Sequence, residues 1–516
     1  MVLPDLGLDL RRLPAPLPMW HGQVGRDAWS AAARTIASTG GRLVSVWGVD
    51  RRAGGGAMAA CAAYAVFEGL VWLELPLDDA TQGFPDLSAA FPCAARMQRA
   101  MADLSGLHAD GSRDDRPWLD HGMWSPGEPP LQHDAEPTAA SAGTLPADYP
   151  FVCVEGSGVH EIAVGPVHAG IIEPGHFRFS VVGEKVLRLE ARLGYTHKGI
   201  ERRFTELAPT EGHRLAGRVS GDSTVAYAWA YCMALESAWG SAVPARATWL
   251  RALMLERERV ANHLGDLGAL GNDVALAFGL AQFSRLREDW QRLSKEAFGH
   301  RFMMDAVIPG GVAVDLAPPM PDRLRRQCDD IERDVRALKV VYDEHAGLQD
   351  RLLTTGRVTP QLAARLGLTG LAGRASGQAA DLRCDHEWAP YDRFEVAMAT
   401  HRNGDVAARV TVRFEEAFES LRLIRAICAG LPGDATHIDL RPPAVPSMGA
   451  GWVEGWRGEV FVALEIGADG RIVRCHCHDP SWQNWPVLEH AIIGNIVPDF
   501  PLINKSFNLS YSGHDL

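Results

Sequence analysis

Three groups of residues in this 516-residue chain have the types and spacing to do chemistry. The first is His168, Glu173 and His176, close together in sequence. A histidine gains and loses a proton near neutrality and a carboxylate raised by burial relays one, which is what proton-coupled electron transfer needs. A hydrogen-bonded structural role for each histidine stays open at this point. The second group is Cys475-His476-Cys477-His478. On a strand, alternate residues face opposite ways, so the cysteines share one face and the histidines the other, which is poor geometry for one tetrahedral metal site. Buried core thiols are the stronger reading. The third is Glu201, Glu256 and Arg259, charged residues in helical patterns that pack inside a bundle. On a solvated face an i,i+3 Glu-Arg pair is worth only about 0.2–0.5 kcal/mol, whereas an interior charge must be paired or functional.

Apolar spacing predicts the elements that position these residues. Helical periodicity at 26–38 precedes apolar runs at 43–47, 58–67 and 70–75, which read as an antiparallel sheet with a hairpin. Short strands with glycine-rich turns follow from Gly165 to Arg192, and Val181–Val186 is a hairpin signal. Helical spacing then runs from about 223 to 298, over 320–350 behind Pro318 and Pro321, and over 413–429. Strands return at 459–477 around the turn Gly467-Ala468-Asp469-Gly470. The predicted class is α+β: a small α+β domain over 1–124, a Pro/Ala/Ser/Gly-rich linker over 125–150 and a mostly helical domain over 151–516.

Composition narrows the partners. A net charge of −13 argues against nucleic-acid binding and against a basic patch on anionic lipid. No window reaches the roughly 18–20 apolar residues that span a bilayer, and the first residues lack the basic and apolar regions of a signal peptide, so a cytoplasmic location is expected. Nine cysteines without C-x-x-C spacing read as reduced thiols.

One stretch carries a resemblance. Arg218-Val219-Ser220-Gly221-Asp222-Ser223 is similar to the R-x-C-G-x-C motif of nickel-iron hydrogenase large subunits, with both cysteines replaced. At the other end, Ser510-Tyr511-Ser512-Gly513 stands where the second ligand pair belongs. Taken alone, Ser-x-x-Ser is no more than a helix cap. Further segments resemble the superfamily that unites hydrogenase large subunits with the D-type subunit of complex I: Gly165-Pro166-Val167-His168, Glu173-Pro174-Gly175-His176, Gly194-Tyr195-Thr196-His197-Lys198-Gly199-Ile200-Glu201, the Glu256/Arg259/Asn262/His263 set, Pro309-Gly310-Gly311, Arg374 with Asp381 and Arg383, and Asp479-Pro480-Ser481. The first domain resembles the C-type subunit of complex I through Arg96–Leu107, with Gln98 and Ala100 where glutamates are expected. Together these resemble the formate hydrogenlyase and hydrogenase-4 type of energy-converting hydrogenase, in which C-like and D-like parts are fused.

The resemblance implies a large subunit of a membrane-associated, complex I-like oxidoreductase, held on the cytoplasmic side of the inner membrane by its partners. Those are an iron-sulfur small subunit, similar to the B-type subunit of complex I and holding the cluster, and proton-pumping membrane-arm subunits. It implies electron transfer to an acceptor, with quinone as candidate, coupled to ion translocation. It brings NAD binding by the complex as an expectation, while the donor itself is not written in this chain. Hydroxyl oxygens do not replace thiolates, so no nickel and no other metal is expected at Ser220, Ser223, Ser510 and Gly513, and this chain is expected to bind no cofactor of its own except a quinone near Ser220, Gly221, Ser223 and Ser510. His168, Glu173, His176, Asp273 and Glu201 are the implied proton-handling residues. Asp273 is expected to partner a cavity histidine, with His168 and His176 both open as that histidine, and Glu201 and Glu256 to line a route toward the membrane arm. Gly221 aligns with a tyrosine that partners the headgroup in the D-type subunit. The alternative is a non-catalytic coupling scaffold.

Overall fold

The structure is a computed structural model that describes residues 2–78, 83–125, 127–135, 149–168 and 172–516. Much of the segment expected as a linker, 126 and 136–148, lies outside the described residues.

The N-terminal part is a five-stranded sheet, β1 (Arg11–Arg12), β2 (Met19–Gln23), β3 (Arg42–Asp50), β4 (Met58–Val66) and β5 (Gly69–Leu77), in the order β1-β2-β5-β4-β3. Neighbours are antiparallel except β2 and β5, whose parallel pairing is connected through helix α1 (Arg26–Ser38), β3 and β4. Every residue of β4 is buried, so both sheet faces are covered. Helix α2 (Ala94–Ser105) lies against β3 and ends at Gly106, a left-handed cap with φ of 73°.

A three-stranded sheet follows: β6 (Val159–Val164), β7 (His176–Val182) and β8 (Lys185–Arg192), order β8-β7-β6, then the short helix α3 (Ile200–Phe204). The helical part is built on α4 (Thr224–Ala238), α5 (Ala245–Asp273), α6 (Ala277–Phe298), α7 (Met320–Glu344) and α8 (Val406–Gly430). Helix α4 is buried on all sides except at its last residue, as expected of a helix with no polar stripe. It lies on a third antiparallel sheet, β9 (Ser447–Glu454), β10 (Glu459–Ile466) and β11 (Ile472–His478). The approach depends on two glycines of β9: a Cβ on Gly451 would stand 1.8 Å from the Ala230 carbonyl oxygen, and one on Gly449 2.2 Å from that of Ala234. The chain ends with α9 (Ser481–Ala491), α10 (Phe500–Phe507) and a last turn, Ser512–Asp515.

The predicted elements are found with two shifts: α8 starts at Val406 behind the Asp405 cap rather than near 413, and the helix expected over 320–350 breaks at His345. β2, β6, β9, α9 and α10 lie outside the predicted pattern. The two parts share one apolar core, running from Val2 to Leu516. β3 meets β11: the Trp47 indole stacks on the His476 ring at 4.8 Å and the Gln483 amide donates to the Leu43 and Val44 carbonyls. Residues 130–135 are tied to both parts. The Leu131 N–H donates to the Leu104 carbonyl, and Arg202 donates to the carbonyls of Pro130, Gln132 and Ala135. Among the described residues, no helix is long and apolar enough to cross a membrane.

Candidate functional site

The four positions aligned with metal ligands come together. Ser220 precedes a single 3-10 turn, Gly221–Ser223, that leads into α4, and the C-terminal segment brings Ser510 and Gly513 alongside. The Gly513 N–H donates to Ser510 Oγ at 2.8 Å, Ser510 Oγ lies 2.9 Å from Ser220 Oγ, and Ser220 Oγ donates to Asp222 Oδ1 at 2.8 Å. Each hydroxyl has one proton, so the order is forced: Ser510 donates to Ser220, and Ser220 to Asp222.

A cation sits in this group. Arg457, on the tight turn between β9 and β10, grips both oxygens of Asp222, donates to Ser223 Oγ at 3.2 Å and takes the Asn508 carbonyl with Nε. Burial raises the Asp222 carboxyl, but Arg457 and Ser220 outweigh it and hold the group below the usual carboxylate range. Beside it, Tyr227 donates to Asp479 Oδ2 at 2.8 Å, and the Ser481 N–H fixes the other carboxylate oxygen. A nickel centre does not fit these residues. The donors are hard oxygens, Gly513 offers none, and a guanidinium already stands between Asp222 and Ser223.

Behind Asp222 lies Glu258, fully enclosed. It accepts the Val225 and Ala226 N–H groups at the start of α4, and burial, reinforced by the Asp222 charge, pushes it up to about 8 despite those two bonds. Its surroundings thus favour the protonated form, next to the site. The sequence reading passed over Glu258, Asp222 and Arg457. The run Glu256-Arg257-Glu258-Arg259 held a usable signal, since four successive charges on one helix cannot all reach water.

The two histidines have different surroundings. His168 Nε2 lies 3.5 Å from Tyr511 Oη, and the Ser512 N–H donates to the Glu173 carboxylate at 3.2 Å. Both residues thus meet the C-terminal segment. His176 does not: its Nδ1 faces the Gly165 carbonyl at 3.2 Å and its ring packs on Phe151. Burial lowers the proton affinity of both histidines.

The expected pairing of Asp273 with a cavity histidine is not formed with either His168 or His176. Asp273 is an exposed residue at the C-terminal end of α5, and among the described residues no hydrogen bond joins it to either histidine. Two helical turns earlier, Asp266 is the carboxylate that reaches the C-terminal segment. It accepts the Asn508 amide at 2.8 Å and pairs with Lys505 at 3.1 Å and Arg413 at 3.0 Å. Two turns carry the chain about 11 Å along the axis, which places Asp273 past the site.

Glu201 lies elsewhere, at the joint of the two parts. Its carboxylate takes Arg474 at 2.9 Å and His476 Nδ1 at 2.7 Å, and His476 Nε2 is 2.8 Å from Ser45 Oγ of β3. Burial raises the Glu201 carboxyl, and Arg474 and His476 overcome this and hold it at about 2. Glu256 is inside the bundle, taken by Arg383, Arg259, Tyr391 and Ser420. The network continues through Asp381, Arg374, Glu416 and His263. In β11, His476 faces Glu201 while Cys475 and Cys477 lie near Tyr231 of α4, which is the alternation expected of a strand.

Residues 23–141 match the model of the respiratory-chain NADH dehydrogenase 30 Kd subunit, and residues 273–450 that of the 49 Kd subunit. Hydrogenase-4 component G of Escherichia coli is 31% identical over 447 residues, 85% of this chain and 77% of that protein. The chain belongs to the family of complex I and energy-converting hydrogenase large subunits. Formate hydrogenlyase subunit 5 of E. coli is 29% identical over 483 residues, covering 92% and 85% of the two chains. Carbon monoxide-induced hydrogenase of Rhodospirillum rubrum is 32% identical over 350 residues, covering 68% and 97%. A chain in the structure of the membrane-bound sulfane sulfur reductase, an archaeal respiratory membrane complex, shares the fold at a TM-score of 0.65 and 24% identity, over 70% of this chain and 99% of that one. Within this family, the present chain is an oxidoreductase-type subunit with fused C-like and D-like parts.

Proposed function

We propose that this chain is the large subunit of a complex I-like assembly that passes electrons to an acceptor without a nickel-iron centre, coupled to ion translocation. The carrying observation is the site itself: four ligand positions closed by three hydroxyls, the Gly513 N–H and an Asp222–Arg457 pair, with the His168–Tyr511 pair beside it. A quinone bound there would supply a two-electron, two-proton acceptor. The residues of this chain would do the rest. Tyr511 and His168 would present protons to an acceptor oxygen, Glu173 would hold the C-terminal segment through Ser512, and protonated Glu258 would stand as a reserve behind Asp222. The donors fit a carbonyl oxygen. The room does not lie within this chain, since the pocket at Gly221 and Asp222 has a volume of about 20 Å³. Gly221 is exposed, and the iron-sulfur subunit would form the opposite wall. That docking, together with the membrane arm, would hold the chain peripherally on the cytoplasmic side.

The Arg457–Asp222 pair also favours a second reading, the coupling scaffold, in which an internal ion pair replaces the lost metal and no acceptor enters. Purified intact complex, given NADH or reduced ferredoxin as donor and a soluble quinone as acceptor, separates the two. Acceptor-dependent turnover is the expected result; an assembled complex silent with every pair leaves the scaffold.

A further inference from the structure

The two parts of the molecule do not close on each other everywhere. Between β1 and β2, the loop after β3, α3, the end of α4 and the sheet β9–β11 lies a cleft of about 1420 Å³, lined by none of the Ser220–Ser510 group. Its charges are unevenly matched. Glu201 and Glu465 line it but are committed to Arg474 and Arg51, and Asp50 to Arg52 and His133. Arg11, Arg12 and Arg471 are exposed at its mouth with no carboxylate partner among the described residues. Arg202, which also lines it, is held by three backbone carbonyls that fix the side chain and leave its charge uncompensated. Against these four arginines stand Asp9 and Asp469.

The deeper wall holds a second, independent signal. Ser237 is 2% exposed, and its hydroxyl has no hydrogen-bond partner among the described residues. The indole N–H of Trp239 and the hydroxyl of Ser447 are also sealed from solvent and unpaired, and all three residues line this cleft. Buried polar atoms are nearly always bonded, and leaving one unmet costs about 1–3 kcal/mol, so these three favour an acceptor, which would reach them once their side chains turn toward the cleft. Leu13, Val445 and Ile472 supply apolar wall between these donors and the arginines.

We propose that this cleft binds a small amphipathic organic anion, a carboxylate or phosphate head on an apolar or aromatic body. The head meets Arg11, Arg12, Arg202 and Arg471, the body lies on Leu13 and Val445, and acceptor atoms take the Trp239 N–H and the Ser237 hydroxyl. Ligand pockets commonly run to about 300–1,000 Å³, so a molecule of nucleotide or medium-chain acyl size fits with room for water. The site is independent of the acceptor reading above, because it shares no residue with that group.

Titration calorimetry on the full chain in its complex tests this with four probes: decanoate, ADP, inorganic pyrophosphate and decyltrimethylammonium. Expected is one decanoate or one ADP per chain, with pyrophosphate and the cation at least tenfold weaker. Decanoate binding marks an acyl anion and ADP binding a nucleotide. The double variant Arg12→Glu/Arg471→Glu weakens the bound anion at least tenfold. Trp239→Phe keeps the ring, removes the N–H and weakens it severalfold, with the thermal midpoint unchanged in each case. Four outcomes overturn the proposal: no binding of either amphipathic anion, equal binding of the cation, indifference to both variants, or a partner segment seated in the cleft of the assembled complex.

Discussion

Glu201→Gln separates a joint from a proton relay. The carboxylate is 4% exposed and bonded to Arg474 and His476, so its ionic contribution is little weakened by solvent. Its pKa falls from 4.5 to about 2, burial working against the shift and Arg474 and His476 carrying it. At 1.36 kcal/mol for each tenfold change, the native state gains about 3 kcal/mol from the charged form. A carboxyl with a depressed folded pKa contributes fully above its unfolded value. The contribution shrinks as pH falls from 4.5 and is gone near 2. Glutamine keeps the shape and one acceptor but cannot carry the charge. Urea unfolding of the two full-length chains at pH 7 should therefore differ by about 3 kcal/mol. The gap should narrow by pH 3.5, and Arg474→Met should be strongly non-additive with Glu201→Gln, as for any pair in contact. A gap below about 1 kcal/mol at pH 7, or one unchanged at pH 3.5, would refute the argument. So would a variant of native stability that had lost turnover, because Glu201 would then be moving protons rather than holding the joint.

Restoring cysteine at Ser220, Ser223, Ser510 and Gly513 together should not restore nickel: Arg457 remains, and a Cβ at Gly513 would stand 2.5 Å from Asp479 Oδ2, which Tyr227 and Ser481 hold in place. Elemental analysis should find well under one nickel per chain in that variant and in the parent. In the assembled complex, His168→Ala should lower acceptor turnover about a hundredfold or more, the usual worth of a positioned acid or base, while His176→Ala leaves it within about threefold; equal effects contradict the assignment. Gly221→Tyr should be tolerated to within about 0.5 kcal/mol, since nothing lies within 4 Å of a Cβ there, and should tighten quinone binding if the acceptor meets this face. A large loss of stability would show that the face is closed.

Elements whose pattern is local were legible in the sequence. α1 carries an amphipathic repeat, β4 and β5 are bracketed by the Phe67-Glu68 turn, and β10 and β11 by Gly467–Gly470, so periodicity and turn chemistry agree. The site was legible only where residue text resembled the family. Ser220 and Ser510 were found that way, although 290 positions apart. Arg457 was not, because an arginine after Gly455-Trp456 on a turn looks like any solvated one. Its role depends on three segments meeting at Asp222, Ser223 and Asn508. His168 and His176 could not be told apart for a related reason. Which one faces Tyr511 is decided by how the chain folds against the C-terminal segment, and one-dimensional spacing carries no trace of it.

The contacts of β3 and the loop after it with β10 and β11 have an implication for how such a chain can be encoded. Arg42 reaches Glu459, Arg51 bridges Glu74 and Glu465, and Trp47 lies flat on His476. Those are the buried, charge-matched features of an obligate interface between separate proteins, here made within one polypeptide. The peptide linking the two parts raises the effective concentration of one for the other during assembly and fixes their ratio at one to one. It is not what keeps them together afterwards. Two separate reading frames could therefore yield the same particle, and fusion or fission of the gene would be close to neutral for the folded product.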